Sequence, residues 1–135
     1  MTVEMKERVV TRAIIVKNGK VLLGKREHGQ GVNKYALIGG KPDEDETLEQ
    51  CMVREVREEI GLEFTNPVLI RKIFDDESVP GERWWVYFFK GGAEGDLLLK
   101  ADEVLEVIYV SRRELGEVDI AFNHREILEE FFGLR

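Results

Sequence analysis

The sequence predicts an α/β (α+β) fold, helices packed on a mixed sheet, in the order β-β-β-α-β-β-β-α. Three observations predict it. Asn18-Gly19 separates two β-rich runs, and that dipeptide supplies the positive φ angles of a two-residue hairpin turn. Apolar residues between Thr47 and Ile60 recur at three- and four-residue spacing, as on a helix with one buried stripe. Two further β-rich runs flank a Pro-Gly turn, and an amphipathic segment closes the chain.

In chain order, "RVVTRAIIVKNGKVLLGKR" (8–26) carries the first two strands, and the polar, glycine-bearing "EHGQGVNK" (27–34) is a loop. A short strand "YALI" (35–38) precedes the loop "GGKPDEDE" (39–46). On the main helix Leu48, Cys51, Met52, Val56 and Ile60 form the apolar stripe; Thr47 with Gln50 is a capping box at its start, and Gly61 is a suitable stop. "PVLIRKIFDDE" (67–77) and "RWWVYFFK" (83–90) read as a second hairpin around "SVPGE". "EVLEVIYV" (103–110) is one more strand, Ser111 caps a short turn at "RREL", and "HREILEEFFGL" is the closing helix, with Ile127, Leu128, Phe131 and Phe132 on its apolar side.

The chain of 135 residues is read as a single domain, 1–135, large enough to bury a real core. A composition 43% hydrophobic and 35% charged fits a soluble globular protein. No run approaches the roughly 18 to 20 apolar residues of a bilayer span, and "MTVEMKERVV" lacks the apolar core of a signal peptide, so no membrane association and a cytoplasmic location are expected. The one cysteine, Cys51, excludes an internal disulfide, and no Cys/His spacing suggests zinc. A net charge of -7 argues against a long nucleic acid as partner; an acidic protein that handles polyanions would need metal ions as intermediaries.

Glu55, Glu58 and Glu59, three and four residues apart, lie one turn apart on one side of the main helix. Their mutual repulsion and their place near the helix C-terminus, where the dipole disfavours negative charge, both oppose the helix. Mg²⁺ or Mn²⁺, which take oxygen ligands, would relieve both penalties. The alternative is a solvated acidic face neutralised by Arg54 and Arg57 through pairs such as Arg54 to Glu58.

As a unit, residues 40–62, "GKPDEDETLEQCMVREVREEIGL", resemble the Nudix box of the MutT-like hydrolases. Gly40, Glu46, Arg54, Glu55, Val56, Glu58, Glu59, Gly61 and Leu62 fill every defined place. Two departures lie outside those places: Ile38 stands where relatives often have Pro before the double glycine, and Asp45 where they often have Gly. The resemblance implies a Nudix-type α/β/α sandwich with the box as loop-helix-loop, and hydrolysis of a nucleoside diphosphate linked to another group. It implies that Glu55, Glu58 and Glu59 hold one or more divalent cations (Mg²⁺ or Mn²⁺), with the Gly40 carbonyl as a further ligand. Arg54 would orient the carboxylates, Glu46 would brace the loop, Gly39 and Gly40 would let the backbone approach the metal, and Gly61 would end the helix. Glu59 and Glu103 are both candidates for the general base, with Glu106 as rival to Glu103.

For the substrate, Arg26, His28 and Lys34 are read either as phosphate contacts or as an ordinary polar loop. Tyr35 is an aromatic ahead of the double glycine, or a core filler. Asn123 is read first as a helix N-cap, and it also resembles the Asn that contacts the purine in the branch acting on oxidised dGTP. His124 is read as a surface residue, and Pro80 as a turn residue that also resembles the proline of ADP-ribose hydrolases. Trp84 and Trp85 point to opposite faces of a strand, one for the core and one for a base or for a partner subunit in a homodimer. The favoured substrate is a (d)NTP or oxidised dNTP, releasing NMP and pyrophosphate. ADP-ribose or a nucleotide-sugar, and a non-catalytic nucleotide-binding module, are the alternatives.

Overall fold

The computed structural model describes residues 7–135. Strands β1 (Glu7–Lys17) and β2 (Lys20–Arg26) are joined by Asn18 and Gly19 at φ 51° and 74°, the two positive angles that their dipeptide predicts. Next come β3 (Tyr35–Ala36), β4 (Ile38–Gly40), helix α1 (Leu48–Ile60), β5 (Glu63–Asp75), β6 (Arg83–Glu94), β7 (Val104–Val110), a 3-10 turn at Leu115–Glu117 and helix α2 (His124–Phe131). No helix among the described residues is long and apolar enough to cross a membrane.

The sheet runs β3-β2-β1-β6-β5, with β4 also paired to β1 and β7 to β2. β1 and β6 are parallel from Glu7↔Arg83 to Ile15↔Gly91, every other pairing between these strands is antiparallel, and an isolated parallel bridge joins Tyr35 to Ile120. Alternation along the strands sends successive side chains to opposite faces. Ala13, Ile15, Leu22, Ile38 and Phe89 pack with Met52, Val56 and Ile60 of α1. Val10, Ile14, Val21, Leu23, Val86 and Phe88 pack with Leu115 and with Ile127 and Leu128 of α2. The neighbours Phe88 and Phe89 are both fully buried, so both faces of the sheet are covered. The result is the expected α/β/α sandwich.

Several boundaries differ from the sequence reading. "YALI" is two strands, because at Leu37 the backbone leaves the ladder: its N–H donates to His124 Nδ1 (3.1 Å) and its carbonyl accepts from Arg12 Nη1 (3.3 Å). His124, expected at the surface, is 2% exposed for the same reason. β5 starts before Pro67, since bulges around Asn66 (φ 51°) let the strand pass a residue with no N–H. β6 continues through Gly91, where a Cβ would stand 2.6 Å from the Thr65 carbonyl, so only glycine lets the two backbones close. Neither Trp84 nor Trp85 is wholly in the core; both are half-buried.

Candidate active site

Helix α1 begins at Thr47, whose hydroxyl accepts from Gln50 N–H while the Gln50 side chain accepts from Thr47 N–H. It ends at Gly61 in the left-handed region, φ 76°. The carbonyls of Glu59 and Ile60, orphaned by the helix end, accept from the N–H groups of Lys100 and Leu98, each at 2.9 Å. Those two bonds fasten the segment before β7 to the end of α1. A third bond, from Glu27 N–H to the Glu103 carbonyl (3.1 Å), ties the same segment to the end of β2.

Glu103 is thereby brought to Glu55 and Glu59, with carboxylate oxygens of all three within 4.8 Å of one another. Glu59 lies deepest, and its Oε2 is shut off from solvent without a hydrogen-bond partner. Burial, reinforced by the Glu55 charge, pushes the Glu59 carboxyl up to about 9; burial also raises Glu55. Three oxygen donors at this spacing fit a hard divalent cation, and an orphaned buried carboxylate oxygen is what such an ion would satisfy. Gly40 makes room: a Cβ there would stand 2.4 to 2.6 Å from the carboxylate atoms of Glu55. Its carbonyl accepts from the Thr11 hydroxyl (3.1 Å) and the Cys51 thiol (3.6 Å). Gly39 is required for a different reason, since a Cβ would lie 1.8 Å from the Thr11 carbonyl of β1.

Arg54 organises the outer side of the trio. Its Nε and Nη2 grip Glu46 at 2.7 and 2.9 Å, and its Nη1 donates to Glu55 (2.8 Å) and Glu58 (3.1 Å). The bidentate bond holds the Glu46 carboxyl down at about 2 and raises the Arg54 guanidinium. Glu58, grouped in the sequence with Glu55 and Glu59, stands outside the trio on the exposed side of Arg54.

Above the trio opens a cleft of about 770 Å³. Arg26, His28 and Asn123 line it. Lys34 and Tyr35 do not: Lys34 faces Asp119 at the surface (3.9 Å), and the Tyr35 hydroxyl donates to Glu106, which takes Glu106 away from the carboxylates. Asn123 precedes α2 without a side-chain capping bond. Trp84 forms part of the cleft wall, whereas Trp85 packs on Phe74 with ring centroids 4.9 Å apart. Pro80 stays in the β5–β6 turn, outside the lining.

Sequence reasoning missed Arg12, Phe122 and His124, which also line the cleft. For Arg12 a signal existed, since it stands in phase between the apolar Val10 and Ile14 of β1.

The family model described as the NUDIX domain matches residues 6–131. The chain belongs to the Nudix family of hydrolases. Over 135 aligned residues it is 30% identical to the CTP pyrophosphohydrolase of Escherichia coli (strain K12), covering 97% of this chain and 96% of that protein. It is 28% identical to the ADP-ribose pyrophosphatase of Methanocaldococcus jannaschii, covering 91% of this chain and 72% of the relative. The crystal structure of a MutT NUDIX hydrolase from Burkholderia pseudomallei superposes with a TM-score of 0.80 at 25% identity, covering 92% of this chain and 97% of the other. As a Nudix protein the chain falls among hydrolases of nucleotide diphosphate derivatives, a family that generally uses divalent metals.

Proposed function

We propose that this Nudix protein is a divalent-metal-dependent nucleotide pyrophosphohydrolase that favours a nucleoside triphosphate and releases NMP and pyrophosphate. The observation that carries the reading is the orphaned Oε2 of Glu59, buried beside Glu55 and Glu103. Ionising a carboxyl left so costs free energy unless a cation completes it. Glu55, Glu59 and Glu103 would hold Mg²⁺ or Mn²⁺, which when bound supplies charge neutralisation at the diphosphate and a lowered pKa for water.

The chain's own residues divide the remaining work. Arg54 fixes Glu55 and, through Glu46, locks the loop 41–46 against α1. Arg26 meets phosphate oxygens in the cleft. Glu103, at the rim and tied to Lys100 (3.0 Å), accepts the proton of the water whose oxygen attacks phosphorus as the bridging P–O bond breaks. Glu58 acts through Arg54 alone. The similarity to an ADP-ribose pyrophosphatase supports a second reading, in which the bond broken is the diphosphate of ADP-ribose.

Phosphate or pyrophosphate release across nucleoside triphosphates, oxidised dGTP, ADP-ribose and nucleotide-sugars, with Mg²⁺, Mn²⁺ or EDTA, tests both. Metal-dependent turnover concentrated on triphosphates supports the first reading, and turnover concentrated on ADP-ribose supports the second. Hydrolysis undiminished by EDTA, or none on any member, overturns the metal-dependent mechanism.

A further inference from the structure

On the buried side of the cleft two arginines share one ring. The guanidinium of Arg12 lies 5.5 Å from the centroid of Phe122, and that of Arg26 lies 4.9 Å from it. Arg26 is anchored by Nε donating to the Gln30 carbonyl (2.7 Å), and Arg12 by Nη1 on the Leu37 carbonyl. Phe122 itself holds φ at 58°, a conformation that non-glycine residues rarely adopt. Among the described residues no ion pair joins either arginine to a carboxylate. Moreover, Arg12 Nε is shut off from solvent with no acceptor. Burial, then the Arg26 charge, lowers the Arg12 guanidinium to about 10. Two unpaired cations are thus held together against their repulsion, one with a buried donor unused.

We propose that Arg12, set against Phe122 beside Arg26, completes an oxyanion subsite that takes phosphate oxygens beyond the diphosphate at the carboxylates, and so determines a preference for triphosphates. The proposal rests on the pyrophosphohydrolase reading above and deepens it. A guanidinium presents a planar fork that matches phosphate oxygens, and a nucleoside triphosphate has one phosphate more than the scissile diphosphate. The neutral terminal ribose of ADP-ribose offers no such group. Arg12 is therefore a specificity residue, separate in role from the carboxylates.

The test uses the whole chain in EDTA, with inorganic tripolyphosphate as probe and sulfate as control. Titration calorimetry and the rise in melting temperature are measured for the wild type, Arg12→Gln, Arg12→Lys and Phe122→Leu. The wild type should bind tripolyphosphate well above sulfate, Arg12→Gln should weaken it about ten- to a hundredfold, and Arg12→Lys should recover part of the loss. Phe122→Leu, which removes the ring and no charge, should weaken binding severalfold. With Mg²⁺, Arg12→Gln should raise KM for triphosphates with kcat changed much less, while kcat/KM for ADP-ribose stays within about twofold of wild type.

No tripolyphosphate binding by the wild type at millimolar concentrations, or binding no better than sulfate, overturns the subsite. An equal loss for triphosphates and ADP-ribose overturns the specificity role. If Arg12→Gln fails to fold, the wild-type titration and Phe122→Leu decide. Because the titration needs no metal and no turnover, failure of the hydrolase reading and failure of the subsite are read separately.

Discussion

Metal binding should displace a proton from Glu59. Its carboxyl, buried beside Glu55, is raised to about 9, so at pH 7 only about 1% of metal-free molecules have it ionised. Since a cation needs the carboxylate, the apparent Mg²⁺ affinity should rise about tenfold per pH unit between pH 7 and 8 and level off near pH 9, with about one proton released per ion. Glu55, raised in the same direction, can only steepen this dependence. Titration calorimetry in buffers of different ionisation enthalpy measures both the slope and the proton count. Glu59→Gln should bind weakly and lose most of the slope.

The same residue makes a linked prediction for stability. Its pKa in the fold lies above the unfolded value, so its contribution is fully present below about pH 4.5 and is lost as pH rises towards about 9. One group changes stability by at most about 1.4 kcal/mol per pH unit, or about 4–6 °C in melting temperature at this chain length. The metal-free wild type should therefore melt progressively lower than Glu59→Gln between pH 6 and 8.5, and saturating Mg²⁺ should remove the deficit. An affinity flat from pH 7 to 8.5, or an unchanged slope in Glu59→Gln, would refute the reasoning.

Adjacent glycines of the box should fail in different ways. In Gly40→Ala the new Cβ meets the carboxylate end of Glu55, a side chain that can swing aside, so the fold should persist while Mg²⁺ affinity drops tenfold or more, read by calorimetry. In Gly39→Ala it meets the Thr11 carbonyl, and the β4–β1 pairing must open; a loss of about 3 kcal/mol or more is expected in urea unfolding. Asp45 holds φ 66°, where relatives of the box often place glycine, so Asp45→Gly should stabilise by about 0.5–1 kcal/mol, seen as a melting temperature higher by about 2–4 °C with metal affinity unchanged.

How much of this was legible in the sequence depended on how local the cause was. The turn at Asn18-Gly19, the Thr47–Gln50 cap and the stop at Gly61 are each decided by residues within one turn of chain, and the structure has them as read. The break at Leu37 was invisible because the groups that take its backbone, Arg12 and His124, lie 25 and 87 residues away. Glu103, just before β7, and Glu106, within it, were rival candidates in the sequence. What separates them is tertiary: one is held at the end of α1 by the bonds of Leu98 and Lys100, and the other is claimed by Tyr35.

How these residues come together in one cleft was illegible for the same reason. The charges of Glu55 and Glu103 raise the proton affinity of Glu59, and the charge of Arg26 lowers that of Arg12, yet Arg12 and Arg26 form no ion pair with the trio. Direct pairing would cancel both clusters and leave nothing to bind with. Instead the Leu37 carbonyl holds Arg12 and the Gln30 carbonyl holds Arg26, with both guanidinium groups against the Phe122 ring. A metal ion alone would satisfy the carboxylates and a phosphate alone the arginines. On the proposed reading a polyphosphate with its cation satisfies both at once, so the affinity for either should rise when the other is bound.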